Sequence, residues 1–450
     1  MIDLGKLEID AQRLVAAAIK AGADHCDVVV AHGQSLSISI REGKQENSDR
    51  SEGDGISLRV FCGRKIASIS ANQMEDIDSL AERAVAMARV SPEDPFQQLL
   101  EESLFIDQQL IKKRVEELDL FDPFIPDADF LSSYALTCEE AGLAVIGVDK
   151  SMGAGASWGV SGFVLATSAG FSGNFKRSRF SASAAMVAGE GTKMERDYDF
   201  GSKVYFEDMV PAEILGKNVG EKVVRRVNPR QVDTAAVPII FEKRVSNGIL
   251  GCLMGAINGT SIARKTSFLR DEMGKPVTGD NITIVDDPLI KRGQASRPFD
   301  GEGMSCDAIN FIENGELQEW VLDGATAREL DLKSNGRSAR SGSGTSPSST
   351  NCYMQAGEQS AEAMVSDIKN GLYLSETIGH GINMVSGDYS KGASGFWIEN
   401  GEITYPVAEI TIAGNLKDMF MNMTPADDLE FKYATNAPTL RIDGMTVGGK

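Results

Sequence analysis

The run Gly248-Ile249-Leu250-Gly251-Cys252-Leu253-Met254-Gly255-Ala256-Ile257-Asn258-Gly259 constrains the fold of this chain more than any other stretch. Its length and apolar density suit a buried helix, and it is entered from Val237-Pro238-Ile239-Ile240-Phe241, which reads as a strand. A strand leading into a buried helix commits the second half of the molecule to a helix packed on a sheet. Gly251, Gly255 and Gly259 then fall at i, i+4 and i+8 on one side of that helix. Each interior glycine costs about 1 kcal/mol against alanine, so something must offset the loss. Two readings stand: tight packing against the sheet, or a groove shaped for a peptide backbone.

The rest of the second half is short strands and glycine turns. Phe396–Ile398 and Ile403–Tyr405 flank Asn400-Gly401, a hairpin pattern that Phe311–Leu317 repeats around Asn314-Gly315. Residues 334–351 are nearly all Ser, Gly, Thr, Asn and Arg, and are expected to form a mobile loop, a candidate flap, that buries little. In the first half, Leu7–Ala21, Glu75–Val90, Asp127–Ala144 and Asp208–Asn228 carry helical periodicity. Strand-like runs cover Cys26–His32, Ser35–Glu42, Gly55–Ala71 and, as a meander, Lys150–Phe200. The reading is α+β: a helix and sheet region over 1–228, with a possible subdivision near 95–125, then a strand-rich domain over 233–450.

At 450 residues the chain exceeds one ordinary core. A formal charge of −20 repels phosphate backbones, so no direct nucleic-acid partner is expected. No stretch is apolar enough for a membrane, and Met1–Glu8 lacks the basic and apolar parts of a signal peptide. The six cysteines form neither a disulfide framework nor a zinc ribbon, which points to a reducing cytoplasm.

With its entry strand and the following Ser261–Phe268, the 248–259 helix resembles the metal-binding helix of the TldD/PmbA family of bacterial metallopeptidase subunits. In the catalytic branch that helix carries His-Glu-x-x-x-His. Here Gly251, Cys252 and Ala256 stand at those positions, and zinc needs N, S or O donors that glycine and alanine lack. The resemblance extends through Ser386–Trp397, Tyr405–Leu416, Met194–Tyr198 and Pro298–Gly303, which are similar to the PmbA (TldE) branch. The catalytic branch also has a zinc-binding cysteine just upstream of a Pro-Thr-Leu-type strand. Pro438-Thr439-Leu440 is present here, but Glu430–Ala437 contains no cysteine.

The three histidines, His25, His32 and His380, read as structural or solvated. Gly155-Ala156-Ser157-Trp158-Gly159 matches a nucleophile elbow in letters, but strand-like sequence follows it where a helix is required. A Cys252–His380 dyad is disfavoured because an apolar helical face buries its cysteine. No catalytic or metal-ligating residue is therefore assigned, and this chain is expected to bind no cofactor. The resemblance implies a partner role in a two-subunit protease whose TldD-like chain holds the zinc and acts on peptides. A peptide or partner groove is expected at Gly251, Gly255, Ser390, Gly392, Gly395 and Phe396, within a dimer. The alternative is a non-enzymatic homodimeric peptide-binding or scaffolding protein.

Overall fold

The computed structural model describes residues 2–74, 76–341 and 344–450. The first 228 residues place six strands in one antiparallel sheet: β1 (His25–Arg41), β2 (Lys44–Cys62), β3 (Lys65–Ala71), β4 (Lys150–Thr167), β5 (Ser172–Ala188) and β6 (Glu195–Lys203), in the order β3-β2-β1-β4-β5-β6. The strands on either side of residues 95–125 thus share one sheet through the β1–β4 ladder. The two runs expected at 26–32 and 35–42 are a single strand. Gly33 does not turn the chain, because it is paired to Gly53 on one side and Ser161 on the other.

Alternation divides the two faces of this sheet. Val28, Val30, Val164 and Ala166 meet Leu7, Leu14 and Ala18 of α1 (Leu4–Lys20) and Ala81, Ala84 and Val85 of α2 (Ile77–Val90). The helix expected from Glu75 thus begins at Ile77, and Glu75 itself lies outside the described residues. Between them in the chain and these strands' partners runs α3 (Gln108–Leu118), whose Ile111 packs with Val29, Leu165, Phe171 and Phe299 on the opposite face. Further along the helical face, α4 (Ala128–Leu143) and α5 (Ala212–Arg225) cover Ala154, Ala182, Ala184 and Met186. Pro211 caps α5 at its N-terminus, where the missing N–H costs nothing.

The second half contains β7 (Ala235–Phe241), β8 (Ile284–Asp286), β9 (Ile309–Glu313), β10 (Glu316–Leu317), β11 (Ser338–Ser341), β12 (Gly344–Pro347), β13 (Cys352–Met354), β14 (Asn370–Ile378), β15 (Asp388–Glu399), β16 (Glu402–Asn415), β17 (Met423–Pro425), β18 (Thr435–Asn436) and β19 (Leu440–Gly448). Strands β16-β15-β14-β7-β19 are neighbours in that order, and β19 pairs again with β16, closing a barrel. A second sheet runs β10-β9-β8-β13-β18. Both Asn-Gly turns form as the sequence predicts. Asn314 and Gly315 have φ of 49° and 85°, and Asn400 and Gly401 have 51° and 83°, the left-handed values a two-residue hairpin turn requires. The helix α6 (Lys243–Ala256) follows β7 after one residue and buries Ile249, Leu250, Leu253 and Ala256 against Ile239, Phe241, Leu372 and Ile442.

Residues 334–351 correct the expectation of a mobile loop. They form the β11–β12 hairpin, with Gly342 and Ser343 outside the described residues. Their anchor is Arg337, fully buried, which donates through Nε to Asp286 Oδ2 at 2.5 Å and to the carbonyls of Asp286, Asn335 and Asp307. Thr350 closes the far end by donating its N–H and hydroxyl to the same carboxylate at 2.6 and 2.9 Å. Composition missed this because one arginine and one distant aspartate outweigh a dozen small polar residues. Removing one partner of such a pair leaves a buried charge unmatched. Arg337→Met is therefore expected to lower the unfolding free energy by about 3–5 kcal/mol, read by denaturant titration.

Candidate partner and peptide cleft

The cleft opens where the two halves meet, and the joint is ionic. Asp197, on β6, is 3% exposed. It accepts from Arg244, in the first turn of α6, through Nη1 at 2.7 Å and Nη2 at 3.1 Å, and from Arg226 at the end of α5 at 3.3 Å. Arg226 also donates to Glu376 and to Ser394 Oγ, tying β14 and β15 to the same point. Burial alone would raise the Asp197 carboxyl. The hydrogen bonds and charges of Arg244, with the charge of Arg226, outweigh it and hold the group below the usual carboxylate range.

Beside this joint lies a cavity of about 540 Å³ lined by Tyr198, Phe200, Arg244, Gly248, Thr377 and Tyr433. From Gly248 the outer side of α6 continues through Gly251 to Gly255. A Cβ added at Gly248 or Gly251 would meet no atom within 4 Å, and at Gly255 only Met384 Cε, at 3.6 Å. Gly259 is different: its added Cβ would fall 2.8 Å from the Val321 carbonyl oxygen. Close packing within the chain thus accounts for Gly259. Gly248 and Gly251 of α6 face open space, and Gly255 touches only the tip of Met384.

Cys252 is half-buried beside that open strip. Burial raises its thiol above the ordinary value, against the opposing pull of Lys391. A thiol so held offers no thiolate at neutral pH, and His380 is exposed on the loop after β14, so the pair has the character of inert side chains. Ala256 is fully buried. Gly251, Cys252 and Ala256 therefore supply one protonated thiol where a zinc site needs three donors, and the residues present do not fit the metal. Among the described residues no group of three His, Cys, Asp or Glu is placed to hold one. The segment Glu430–Ala437 does lie against the start of α6, where Asn247 accepts from the Ala437 N–H at 2.7 Å and Ser246 donates to its carbonyl.

The other groove candidates divide. Ser390 is exposed and Gly392 half-buried, but Gly395 and Phe396 are buried. An added Cβ at Gly395 would sit 2.1 Å from the Tyr373 carbonyl oxygen, so the backbone that approaches closely there is β14 of the same chain. With β15 paired on both sides, no free edge is left at Gly395 and Phe396 for strand addition by a peptide. Ser157 lies mid-strand in β4, opposite Ser37 and Ser181, with no elbow around it.

Two further joints fix the halves to each other. Arg59 donates to Asp27 through Nε at 2.9 Å, both fully buried, while Arg340 approaches the other oxygen of Asp27 at 2.8 Å. Phe299, from the 298–303 motif, fills the space between Phe163, Phe171 and Phe175. In the same motif Asp300 accepts from the N–H groups of Glu302, Met304 and Ser338, and Glu302 accepts from Gly324. The sequence marked Met194–Tyr198 and Pro298–Gly303 as motifs without their role. Two of their partners, Arg244 and Arg340, carried no local signal.

A helix-bearing antiparallel sheet clamped by buried ion pairs to a closed barrel, with a strand-to-helix unit at the cleft, defines an α+β protein of two interlocked halves. Comparison with known proteins places it more closely. Three family models match in sequence order: PmbA/TldA metallopeptidase domain 1 over residues 26–88, the central domain over 121–228 and the C-terminal domain over 234–449. The chain belongs to the PmbA/TldD family. It is 32% identical to Metalloprotease PmbA of Escherichia coli O157:H7 over 95% of this chain and 93% of that one. It is 33% identical to the Metalloprotease PmbA homolog of Haemophilus influenzae over 97% and 94%. TldE from Thermococcus kodakarensis shares the fold with a TM-score of 0.83 at 18% identity, over 98% of this chain and 100% of that one. A Bacteroides thetaiotaomicron structure described as a modulator of DNA gyrase does so at 0.87 and 22%, over 98% and 99%.

Two outcomes follow from the site's physics. Gly251→Ala adds a methyl to open space within a helix, so it is expected to stabilise the fold by up to about 1 kcal/mol in denaturant titration. A carboxyl held below its ordinary value contributes stability at neutral pH and loses it as pH falls through the folded-state value. Wild-type protein should therefore lose thermal stability as pH drops below about 4, and Asp197→Asn should flatten that part of the profile.

Proposed function

We propose that this chain is the PmbA/TldE-type subunit of a two-subunit metalloprotease acting in proteolysis and peptide maturation in the cytoplasm. A TldD-like partner supplies the zinc and the general base, and this chain contributes one wall of the peptide cleft. One observation carries the reading: Gly248 and Gly251 leave the outer side of α6 bare, Gly255 beside them meets only the tip of Met384, and among the described residues nothing packs on the first two to offset their helical cost. A backbone from outside the chain, approaching within van der Waals reach, supplies the missing offset.

Three observations support it further. The donor set at Gly251, Cys252 and Ala256 is unsuited to zinc. The relatives are named metalloproteases, with TldD homologs among them. All six cysteines are free thiols, as a reducing compartment requires. Among the described residues no helix is long and apolar enough to cross a membrane.

Mixing purified chain with a TldD-like subunit is the test. Peptidase activity should appear only in the mixture, should be abolished by a chelator, and should co-elute with a complex on size exclusion. Gly251→Ala should weaken the mixed activity while leaving this chain as stable as before or more so. Chelator-insensitive peptidase activity from the chain alone, or a tightly held zinc in it, overturns the assignment. A chain that binds peptides as a homodimer and ignores every TldD-like subunit points instead to a scaffolding protein.

A further inference from the structure

The face of the six-stranded sheet opposite α1, α2, α4 and α5 is only half covered. At one end it is closed by Phe299 and α3. Toward the other end its outward residues are small and polar: Ser35 on β1, Ser51 on β2, Ser157 and Ser161 on β4, Ser181 and Ser183 on β5. Alternation sends His32, Glu52 and Asp54 to the opposite face, where His32 Nδ1 lies 2.7 Å from Asp54. Asp49, opposite Ser37, stays on the serine face, but no acidic side chain lines the hollow around Ser35, Ser51 and Ser161, although the chain as a whole carries a charge of −20.

Two arginines stand on that face. Arg177 and Arg179 line a hollow of about 510 Å³ together with Ser35, Ser51, Gly159 and Ser161. Arg177 donates through Nη1 to the Gln294 carbonyl at 3.1 Å and through Nη2 to that of Ser296, while its Nε is out of solvent and has no partner. Arg179 is exposed and donates only through Nε, to Ser202 Oγ at 2.8 Å. Among the described residues neither arginine forms an ion pair. Burial, together with the neighbouring charges of Arg179 and Arg297, pushes the Arg177 guanidinium down to about 10. A half-buried guanidinium without a counter-ion is a charge that an anion in the hollow would match.

The hollow also lies on a path. A neighbouring depression of about 350 Å³ runs over Ser157, Ser181 and Ser183 to Phe200, and Phe200 also lines the cavity that reaches Gly248 of α6. Along β5 the four residue steps from Ser183 to Arg179 span about 13 Å, the reach of a short extended peptide. We propose that Arg177 and Arg179 bind a carboxylate of an extended peptide lying on the serine face of the sheet, so that the cleft selects acidic peptides. This rests on the reading of the cleft as a peptide site. The guanidinium fork matches a planar carboxylate in two parallel hydrogen bonds, and the serine hydroxyls serve the peptide's amides.

The test uses the full chain and flexible ten-residue Gly/Ser/Ala peptides measured by calorimetry. One carries two Glu residues with an amidated C-terminus, one carries Gln in their place, and one carries Gln with a free C-terminal carboxylate; inorganic phosphate is titrated alone. The expected result is binding about 10-fold or more tighter for a carboxylate-bearing peptide than for the amidated Gln peptide. The two carboxylate forms tell a side-chain acid from a C-terminus. Arg179→Gln, exposed and therefore foldable, should erase the difference and leave the amidated Gln peptide unaffected. Equal binding of all three peptides overturns the carboxylate site while sparing the peptide cleft. Binding of none overturns both. Phosphate binding without peptide discrimination overturns the proposal in favour of a small free anion.

Discussion

Everything at the cleft hangs on Asp197. One buried carboxylate receives Arg226 from just past the end of α5 and Arg244 from the first turn of α6, so a single residue on β6 ties sheet to barrel at the cleft. Arg244 and Gly248 are one helical turn apart, so the same contact that joins the halves also orients the bare side of α6 toward the cavity. Buried ion pairs add little net stability when compared with apolar packing, but they are intolerant of displacement. Here that intolerance positions a helix whose outer side is open at Gly248 and Gly251.

The strand-to-helix transition at 237–259, the helices, both Asn-Gly turns and the α+β class were legible because each is written in local periodicity or turn chemistry. What was not legible is long-range. The segment around Arg337 looked loose because its partner Asp286 lies about fifty residues away and contributes only one letter to the sequence. Gly251, Gly255 and Gly259 looked equivalent on a helical projection, but α6 ends at Ala256 and Gly259 opens a separate short helix, Gly259–Ala263, pressed on Val321, while Gly251 faces open space and Gly255 touches only Met384. Gly395 met the description of a close-approach glycine correctly, but the sequence alone does not say whose backbone approaches.

The motifs shared with the family acquire physical roles on this reading. Met194–Tyr198 carries Asp197 and Tyr198 of the joint and cavity. Pro298–Gly303 carries the aromatic plug Phe299 and two carboxylates, Asp300 and Glu302, which burial raises despite the opposing charges of Arg297 and Arg59. In this structure these residues hold elements together across the molecule. A chain that has no donor set at the catalytic helix still needs the whole frame if its task is to present a surface at a fixed angle.

One exposed feature bears on how the protein behaves at high concentration. Residues 44–55 of β2 pair with β1 on one side only, because β3 covers the strand just from Ile56 onward. Eleven or so residues of open backbone edge are an invitation to runaway sheet growth between molecules. The sequence there, Lys44-Gln45-Glu46-Asn47-Ser48-Asp49-Arg50-Ser51-Glu52-Gly53-Asp54, contains no apolar side chain and six charged ones. Any neighbour adding a strand must desolvate those charges without burying a single methyl group, so the edge stays a solvated rim, and colloidal stability in a crowded solution is set by this short polar ribbon more than by the folded cores behind it.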